Sequence, residues 1–170
     1  HRIPTARFRV FDDAAEASRY LLSREVSYPL VVKADGLAAG KGVVIAQDSA
    51  AAVETATHML SGGAFGLAGR RIVVEELLKG REASFFVLSD GTTSLELASC
   101  QDYKRAEDAD RGPNTGGMGT YSPSVWLDDE TTRILRETVV APTVRGLAAE
   151  GRPFRGVLFI GVMLTDAGPM

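Results

Sequence analysis

Strand and helix patterns alternate along the first part of the chain. The run Phe8–Phe11 is typical of a short strand, and Leu30–Ala34 is apolar and β-branched, which predicts a second strand. Between them, Asp13 and Glu16 have the spacing of a capping box in front of a helical run over 14–24. The pattern therefore predicts a strand, a helix and a strand in this order.

The same alternation continues along the next forty residues. A glycine-rich loop over 35–42 leads to a predicted strand at Val43–Ala46, and Asp48 caps a predicted helix at Ser49–Leu60. Residues 72–74 then form a predicted buried strand that runs into a pair of glutamates. Strands and helices mixed in this way predict an α+β lobe.

The second half begins with apolar strands and continues with a long polar segment. The runs 85–88 and 94–99 predict a hairpin, because the Asp90-Gly91 pair between them supplies the positive φ angles of a tight turn. In the segment 101–123 no hydrophobic period is visible, and Gly, Asn, Asp, Lys and Arg are frequent. This profile predicts a long functional loop.

The last part of the chain predicts one long helix and one strand. The helix begins at residue 128 or 129 and runs to 149, with a kink at Pro142, and the strand covers 156–164. The whole pattern predicts the α+β class, with two lobes that divide near residue 78.

Composition excludes several classes of protein and partner. The 170 residues carry a net charge of -3, from 19 basic and 22 acidic side chains, so no basic excess favours binding to nucleic acid. No apolar run approaches the roughly 20 residues that span a bilayer, and we expect no membrane partner. Cys100 is the only cysteine, which excludes an intrachain disulfide and favours a reducing, cytoplasmic location. We expect its thiol to be buried and structural.

Two lysines and several glycines indicate a phosphate site. Lys33 lies inside the apolar second strand, and the loop that follows contains Gly36, Gly40, Lys41 and Gly42. Glycine backbone can bring N–H groups close to phosphate oxygens while lysine ammonium groups neutralise their charge. The spacing is one residue short of a P-loop, and the loop joins two strands, unlike a Rossmann fingerprint. The alternative is a tight turn with exposed lysines.

Acidic residues at the end of the predicted strand 72–74 are suited to the nucleoside part of a nucleotide. Glu75, Glu76 and Leu78 follow this strand, and Glu82 comes shortly afterwards. Strand-end backbone groups can pair with the edge of a base, and a carboxylate accepts hydrogen bonds from vicinal ribose hydroxyls. The alternative is an ordinary solvated strand end with Glu82 facing water.

Several motifs together carry a resemblance to a known family. They are Ile3-Pro4-Thr5-Ala6, the run 32–42, Gly66-x-Ala68-Gly69, the run Gln101-Asp102-Tyr103-Lys104-Arg105, and 112–119 followed by Tyr121-Ser122-Pro123. In this order they resemble the ATP-grasp superfamily and, within it, the phosphoribosylamine–glycine ligase family, over essentially the whole chain. The resemblance implies two α+β lobes that enclose the nucleotide. Residues 1–78 would form the small lobe with a glycine-rich lid loop, and 79–170 the first part of the large lobe.

The resemblance also implies a reaction of de novo purine synthesis. ATP would phosphorylate the glycine carboxylate, and the amine of 5-phosphoribosylamine would attack the glycyl phosphate to give glycinamide ribonucleotide, ADP and phosphate. The implied partners are these small molecules, and the implied cofactors are ATP and Mg²⁺ (or Mn²⁺). In this family a Glu and an Asn bind the metal, and we expect both beyond Met170. We therefore expect the chain to be a piece of a longer enzyme and to be inactive alone.

Individual residues receive roles from the same resemblance. The implied catalytic residues are Lys33, Lys104 and Arg105. The implied ATP-binding residues are Lys33, Gly36, Gly40, Lys41, Gly42, Glu75, Glu76, Leu78 and Glu82. The implied substrate-binding residues are Asp102, Lys104, Arg105, Asn114, Thr115, Gly116, Gly117 and Gly119, with the backbone of 114–119 as an anion cradle.

Other interpretations of these motifs stay open. For Lys104 and Arg105 the alternative is a solvated basic pair among acidic neighbours. For the chain as a whole, one alternative is another ATP-grasp carboxylate–amine ligase or a carboxylase. The second is a nucleotide-binding module without catalysis.

Overall fold

The computed structural model describes residues 1–36, 38, 42–62, 65–109 and 111–170, with the side chains of 113 and 114 left out. The chain forms two compact units, one of Ala6–Leu77 and one of Leu78–Met170 together with His1–Thr5. We call them the amino-terminal and the carboxyl-terminal unit. Two candidate residues, Gly40 and Lys41, lie outside the described residues, as does the side chain of Asn114.

The amino-terminal unit is built on a four-stranded antiparallel sheet. Its strands are β1 at Phe8–Phe11, β2 at Leu30–Ala34, β3 at Val43–Ala46 and β4 at Ile72–Glu76, in the spatial order β1-β4-β2-β3. The strands predicted in this part of the chain are confirmed, and β4 includes the two glutamates that follow the predicted strand.

Two helices pack on one face of this sheet. They are α1 at Ala14–Leu21 and α2 at Ser49–Leu60, and the predicted caps are confirmed. Asp13 accepts a hydrogen bond from an N–H of the first turn of α1 at 2.7 Å, and Asp48 does the same for α2 at 2.9 Å.

Helix α1 ends at Leu21, so the predicted end at Arg24 is wrong. The hydroxyl of Ser23 accepts the backbone N–H of Glu25 at 3.3 Å. The Ser23 hydroxyl thereby gives this backbone N–H a hydrogen-bond acceptor outside the helix, and the helix ends before Ser23.

Strand alternation separates the two faces of the sheet. Leu30, Val32, Ile72 and Val74 belong to the buried core that also contains residues of α1 and α2. Their neighbours along the strands, among them Lys33 and Glu75, therefore stand on the opposite face, away from α1 and α2, which we call the open face of this sheet.

The carboxyl-terminal unit contains a second four-stranded antiparallel sheet. Its strands are β5 at Arg81–Asp90, β6 at Ser94–Glu96, β9 at Arg155–Thr165 and β10 at Gly168–Pro169, in the order β10-β9-β5-β6. The predicted hairpin and the predicted final strand are confirmed, although β5 begins four residues earlier and β6 ends three residues earlier than predicted. Strands β5 and β9 pair continuously from Arg81↔Leu164 to Asp90↔Arg155.

The predicted long helix is present but is divided differently from the prediction. It consists of α3 at Asp129–Leu135, a π-helical segment at Arg136–Val140 and α4 at Ala141–Ala149. Pro142 has no N–H for the helical ladder, and the chain adapts by widening the turn before it. The N–H of Ala141 accordingly donates to the carbonyl of Arg136, five residues back. Leu135 and Val140 pack on Phe85 and Val87 of β5 in the core of this unit.

The segment 101–123 is not the predicted irregular loop. It forms a two-stranded antiparallel ribbon of β7 at Gln101–Glu107 and β8 at Arg111–Tyr121. Most side chains of the ribbon that the structure describes are exposed on both faces. A strand without a covered face has no need of apolar residues at every second position, so the usual sequence signal is missing.

The turn between β5 and β6 is stabilised by one carboxylate. Oδ1 of Asp90 accepts the backbone N–H groups of Thr92 at 2.9 Å and Thr93 at 2.7 Å, and Gly91 has a φ of 101°. These hydrogen bonds favour the ionised carboxylate and lower the pKa of Asp90 from 3.8 to about 2.

The lowered pKa of Asp90 predicts a defined dependence of stability on pH. Because the folded value lies below the unfolded one, the contribution of Asp90 is complete above pH 3.8 and is lost as the pH falls through about 2. The variant Asp90→Ala should therefore be less stable than the wild type at pH 7, and this difference should shrink towards pH 2. Urea unfolding at pH 7, 4 and 2 measures it, with the exposed Asp12→Ala as the control. A difference that is the same at all three pH values would contradict the assignment.

Candidate functional site

The amino-terminal unit presents an ion pair on the open face of its sheet. Lys33 follows the core residue Val32, so alternation directs its side chain away from the helices. Its Nζ forms an ion pair with Oε1 of Glu75 on β4. Because Val31 is the direct register partner of Glu75, the lysine and the glutamate are diagonal neighbours across two strands.

The two members of this pair differ in accessibility. The side chain of Glu75 is 17% exposed, whereas that of Lys33 is 39% exposed. Glu75 fixes one side of the ammonium group, and the other side is accessible to solvent. An anion could therefore bind Lys33 without displacing the whole pair.

Glu76 has a different partner. Its carboxylate accepts the backbone N–H of Arg7 at 2.8 Å and the guanidinium of the same residue, with Nη2 at 2.8 Å. The Arg7 side chain holds the pKa of Glu76 below its usual value. The pair joins the end of β4 to the residue before β1, so Glu76 has a structural role, and its role in ATP binding stays a prediction.

The ends of the glycine-rich loop are packed tightly against their own unit. A Cβ on Gly36 would lie 2.5 Å from Cα of Ala68, and one on Gly42 would lie 2.6 Å from Cβ of Ala38. The carbonyl of Gly42 also accepts the N–H of Ala34 at 2.8 Å. Glycine is required by packing at both positions, whether or not a phosphate binds there.

The ribbon of the carboxyl-terminal unit contains a wide bulge opposite Lys104. Between the register pairs Tyr103↔Gly119 and Arg105↔Asn114, β7 has the single residue Lys104 and β8 has the four residues 115–118. Thr115 holds the bulge in place. Its hydroxyl donates to the carbonyl of Lys104 at 2.9 Å and accepts the N–H of Gly117 at 3.0 Å.

A pocket of about 520 Å³ is lined by this ribbon and by strands β5 and β9 of the second sheet. It brings together five of the predicted substrate residues, which are Asp102, Lys104, Gly116, Gly117 and Gly119. The Nζ of Lys104 is 3.9 Å from Oδ2 of Asp102 and 4.0 Å from Oε2 of Glu82. These long distances leave the ammonium group loosely held between two carboxylates, so it can also approach an anionic ligand.

The glycines of the bulge fall into two groups. Gly117 has a φ of 120°, and a Cβ there would lie 3.0 Å from Oδ1 of Asp102, so the ribbon itself requires glycine at this position. At Gly116 and Gly119 a Cβ would meet nothing within 4 Å. Both glycines line the pocket, and the open space at their missing side chains suits the close approach of a ligand.

Other predicted site residues lie elsewhere in the structure. Nη1 of Arg105 donates to the carbonyl of Gly112 at 2.8 Å, which ties the two strands of the ribbon together outside the pocket lining. Leu78 is half-buried and follows β4, and Glu82 stands at the start of β5 with an exposed side chain. The predicted roles of these residues stay predictions.

Some pocket residues were missed by the sequence reasoning. Ser84, Phe86 and Phe159 line the pocket together with Cys100. The expectation of a buried Cys100 is wrong, because its side chain is half-buried and faces the pocket. The sequence does contain a pattern that indicates Phe159. Strand 156–164 is apolar at nearly every position, although only one of its faces can be covered by the helices of its unit.

Comparison with known proteins assigns the family. The family model described as "Phosphoribosylglycinamide synthetase, ATP-grasp (A) domain" matches residues 1–170. The chain belongs to this family. The resemblance and the ATP-grasp fold inferred from the sequence motifs are thereby confirmed.

Individual members of the phosphoribosylglycinamide synthetase family are similar to the chain in sequence and structure. A phosphoribosylamine–glycine ligase from Caulobacter vibrioides is 54% identical over 169 residues, which are 99% of this chain and 39% of that protein. The crystal structure of the ligase from Thermotoga maritima has a TM-score of 0.89 at 36% identity, and covers 98% of this chain and 42% of that chain. The chain thus spans about two fifths of the length of these relatives.

A more distant structure shares the fold alone. The biotin carboxylase domain of a 2-oxoglutarate carboxylase from Hydrogenobacter thermophilus has a TM-score of 0.66 at 19% identity, and covers 98% of this chain and 34% of that chain. It is described as a complex with ADP and its magnesium salt.

Two further observations concern metals and membranes. In the part of the chain that the structure describes, no group of three or more His, Cys, Asp or Glu side chains could hold a metal ion. Among the same residues, no helix is long and apolar enough to cross a bilayer.

The two groups of glycines predict different effects of alanine. Gly117→Ala should destabilise the protein by about 1 kcal/mol or more, because alanine at this φ is strained. Gly119→Ala should leave the free energy of unfolding within about 0.5 kcal/mol of the wild type, since its side chain enters open space. Urea unfolding of both variants measures this. An equal loss of stability in both would contradict the open space above Gly119.

Proposed function

We propose that the protein containing this chain is an ATP-dependent phosphoribosylamine–glycine ligase of de novo purine synthesis. Glycine, 5-phosphoribosylamine and ATP would be its substrates, and glycinamide ribonucleotide, ADP and phosphate its products. The observation that carries the proposal is the pocket around Lys104, in a chain that belongs to the phosphoribosylglycinamide synthetase family along its whole length. This pocket combines one ammonium group, one carboxylate and a glycine-rich bulge with open space.

The two units would have different tasks. We assign the amino-terminal unit, Ala6–Leu77, to the small lobe of the ATP-grasp fold and the carboxyl-terminal unit to the first part of the large lobe. His1–Thr5 go with the carboxyl-terminal unit, although they precede the small lobe in sequence. A cytoplasmic location stays a prediction from the single cysteine.

The open face of the amino-terminal sheet fits the ATP phosphates. Lys33 has an accessible ammonium group, and Glu75 holds it in place from the buried side. In the proposed reaction Lys33 would offset negative charge on the phosphates during transfer, which is most effective when the cation is already oriented. Glu75, Leu78 and Glu82 would provide the contacts to the adenosine, as the motif resemblance implies.

The pocket of the carboxyl-terminal unit fits the carboxylate and phosphate groups of the other substrates. Lys104 would offer positive charge and the glycine-rich bulge the close approach of a ligand, while Asp102 can accept a hydrogen bond from an amine. The chain thereby orients the carboxyl group that is phosphorylated and the amine that attacks it.

A magnesium ion would accompany ATP and neutralise its phosphate charge. The described residues contain no set of acidic or histidine ligands for it, so we derive no step of the reaction through the metal here. Its proposed ligands are the Glu and Asn that the family resemblance places after Met170. The carboxylase domain with the same fold is described with ADP and magnesium, which supports the nucleotide as the common ligand.

Steady-state kinetics of the complete protein test the proposed function. ADP should form only when glycine and phosphoribosylamine are both present, and ATP hydrolysis without glycine at a similar rate would contradict the proposal.

Lys33→Ala should lower kcat/KM by about 100-fold, because a preorganised charge at the phosphates is worth about 3 kcal/mol. The control Arg152→Ala removes a cation of the exposed pair with Glu150 and should leave the kinetics unchanged. Unchanged kinetics in the Lys33 variant would remove this residue from the site.

The proposed role of Glu82 predicts a selective effect on ATP. Glu82→Gln should raise the KM for ATP and leave that for glycine unchanged, because the amide has the shape of the carboxylate but loses a charged acceptor. The wild type should prefer ATP to 2′-deoxy-ATP, and the variant should lose most of this preference. Steady-state assays with both nucleotides measure it. A variant that discriminates as well as the wild type would show that Glu82 does not contact the ribose.

A further inference from the structure

The substrate pocket has an aromatic wall that no charged substrate requires. Phe86 on β5 and Phe159 on β9 are direct register partners, and their ring centroids are 5.4 Å apart. Both line the pocket, together with Asp102 and Lys104 of the ribbon. The ribbon therefore contributes charged side chains to the pocket, and the sheet contributes aromatic ones.

Phe159 is an exposed residue of this aromatic wall. It is 56% exposed, which is costly for so large an apolar side chain unless something covers it during function. Its ring extends towards Gly161, because a Cβ on that glycine would lie 3.7 Å from Cζ of Phe159. Gly161 is the register partner of Ser84, which also lines the pocket, so the ring lies over the pocket floor.

The chemistry of the proposed reaction indicates a role for this aromatic wall. In the productive step the amine nitrogen of phosphoribosylamine attacks the carbonyl carbon of glycyl phosphate and gives up one proton to solvent. The bond from that carbon to the phosphate oxygen breaks, and phosphate leaves. Water can attack the same carbon, lose its proton to solvent and release the same phosphate. That side reaction returns glycine, and one ATP is consumed without product. An apolar wall offers water molecules no hydrogen-bond partner and therefore disfavours water beside the intermediate.

We propose that Phe159, supported by Phe86, excludes water from the acyl phosphate and so couples ATP consumption to product formation. The inference rests on the proposed function, because it presupposes a glycyl phosphate in this pocket. Phe159 is a water-excluding residue in this account and takes no part in bond making.

The coupling ratio of the complete protein tests this role. Phosphate and glycinamide ribonucleotide are measured in the same reaction, and the wild type should release one phosphate for each product molecule. In Phe159→Ala the ratio of phosphate to product should rise above one, because the phosphate released without product increases on the order of tenfold if the barrier to hydrolysis falls by ~1.4 kcal/mol. Phe159→Leu, which keeps an apolar side chain, should restore most of the coupling and also guards against misfolding of the alanine variant.

Val157→Ala is the matched control. Val157 lies on the same strand and the same face as Phe159, is 55% exposed and does not line the pocket, so its variant should keep a ratio of one. A ratio of one in both Phe159 variants would overturn the proposal. A raised KM for ATP with an unchanged ratio would also overturn it, since the ring would then contact the nucleotide. Wild-type protein that forms no glycinamide ribonucleotide would instead refute the proposed function itself.

Discussion

The alternation of side chains along β-strands is the constraint on which both candidate sites depend. In the amino-terminal unit, Val32 lies in the core and its neighbour Lys33 stands on the open face. In the carboxyl-terminal unit, Phe85 packs under the helices while Phe86, one residue later, lines the pocket. In each sheet, therefore, one face packs against helices and the other carries candidate site residues, and a shift of register by one residue would exchange them.

Charge and backbone geometry also contribute to the two candidate sites. Lys33 is next to apolar neighbours, and the half-buried Glu75 compensates its charge without covering it. In the ribbon, the bulge of residues 115–118 interrupts regular pairing opposite Lys104, and Gly117 donates its N–H to Oγ1 of Thr115. The two candidate sites thus differ in structure. One contains a cross-strand ion pair, and the other contains a bulge in the strand pairing.

The sequence predicted those elements that have a covered face. Strand β2 and helix α2 have an apolar side against the core, and β1 and β3 each end at a core residue, Phe11 and Ala46, so these elements are visible in the sequence. The ribbon β7–β8 has no such side, and its strands were therefore mistaken for a loop. The pocket residues divide in the same way. Lys104 and the bulge glycines carry motif signals, but Phe159 becomes a candidate only when register shows which face it occupies.

A crystal structure of the complete protein with a non-hydrolysable ATP analogue, glycine and magnesium tests the central claim most directly. The claim is that the open face of the amino-terminal sheet binds the nucleotide phosphates through Lys33. The account predicts a phosphate oxygen within about 3.2 Å of Lys33 Nζ, while Glu75 still contacts this ammonium group from its buried side. Phosphates bound elsewhere, with Lys33 held only by Glu75, would contradict it.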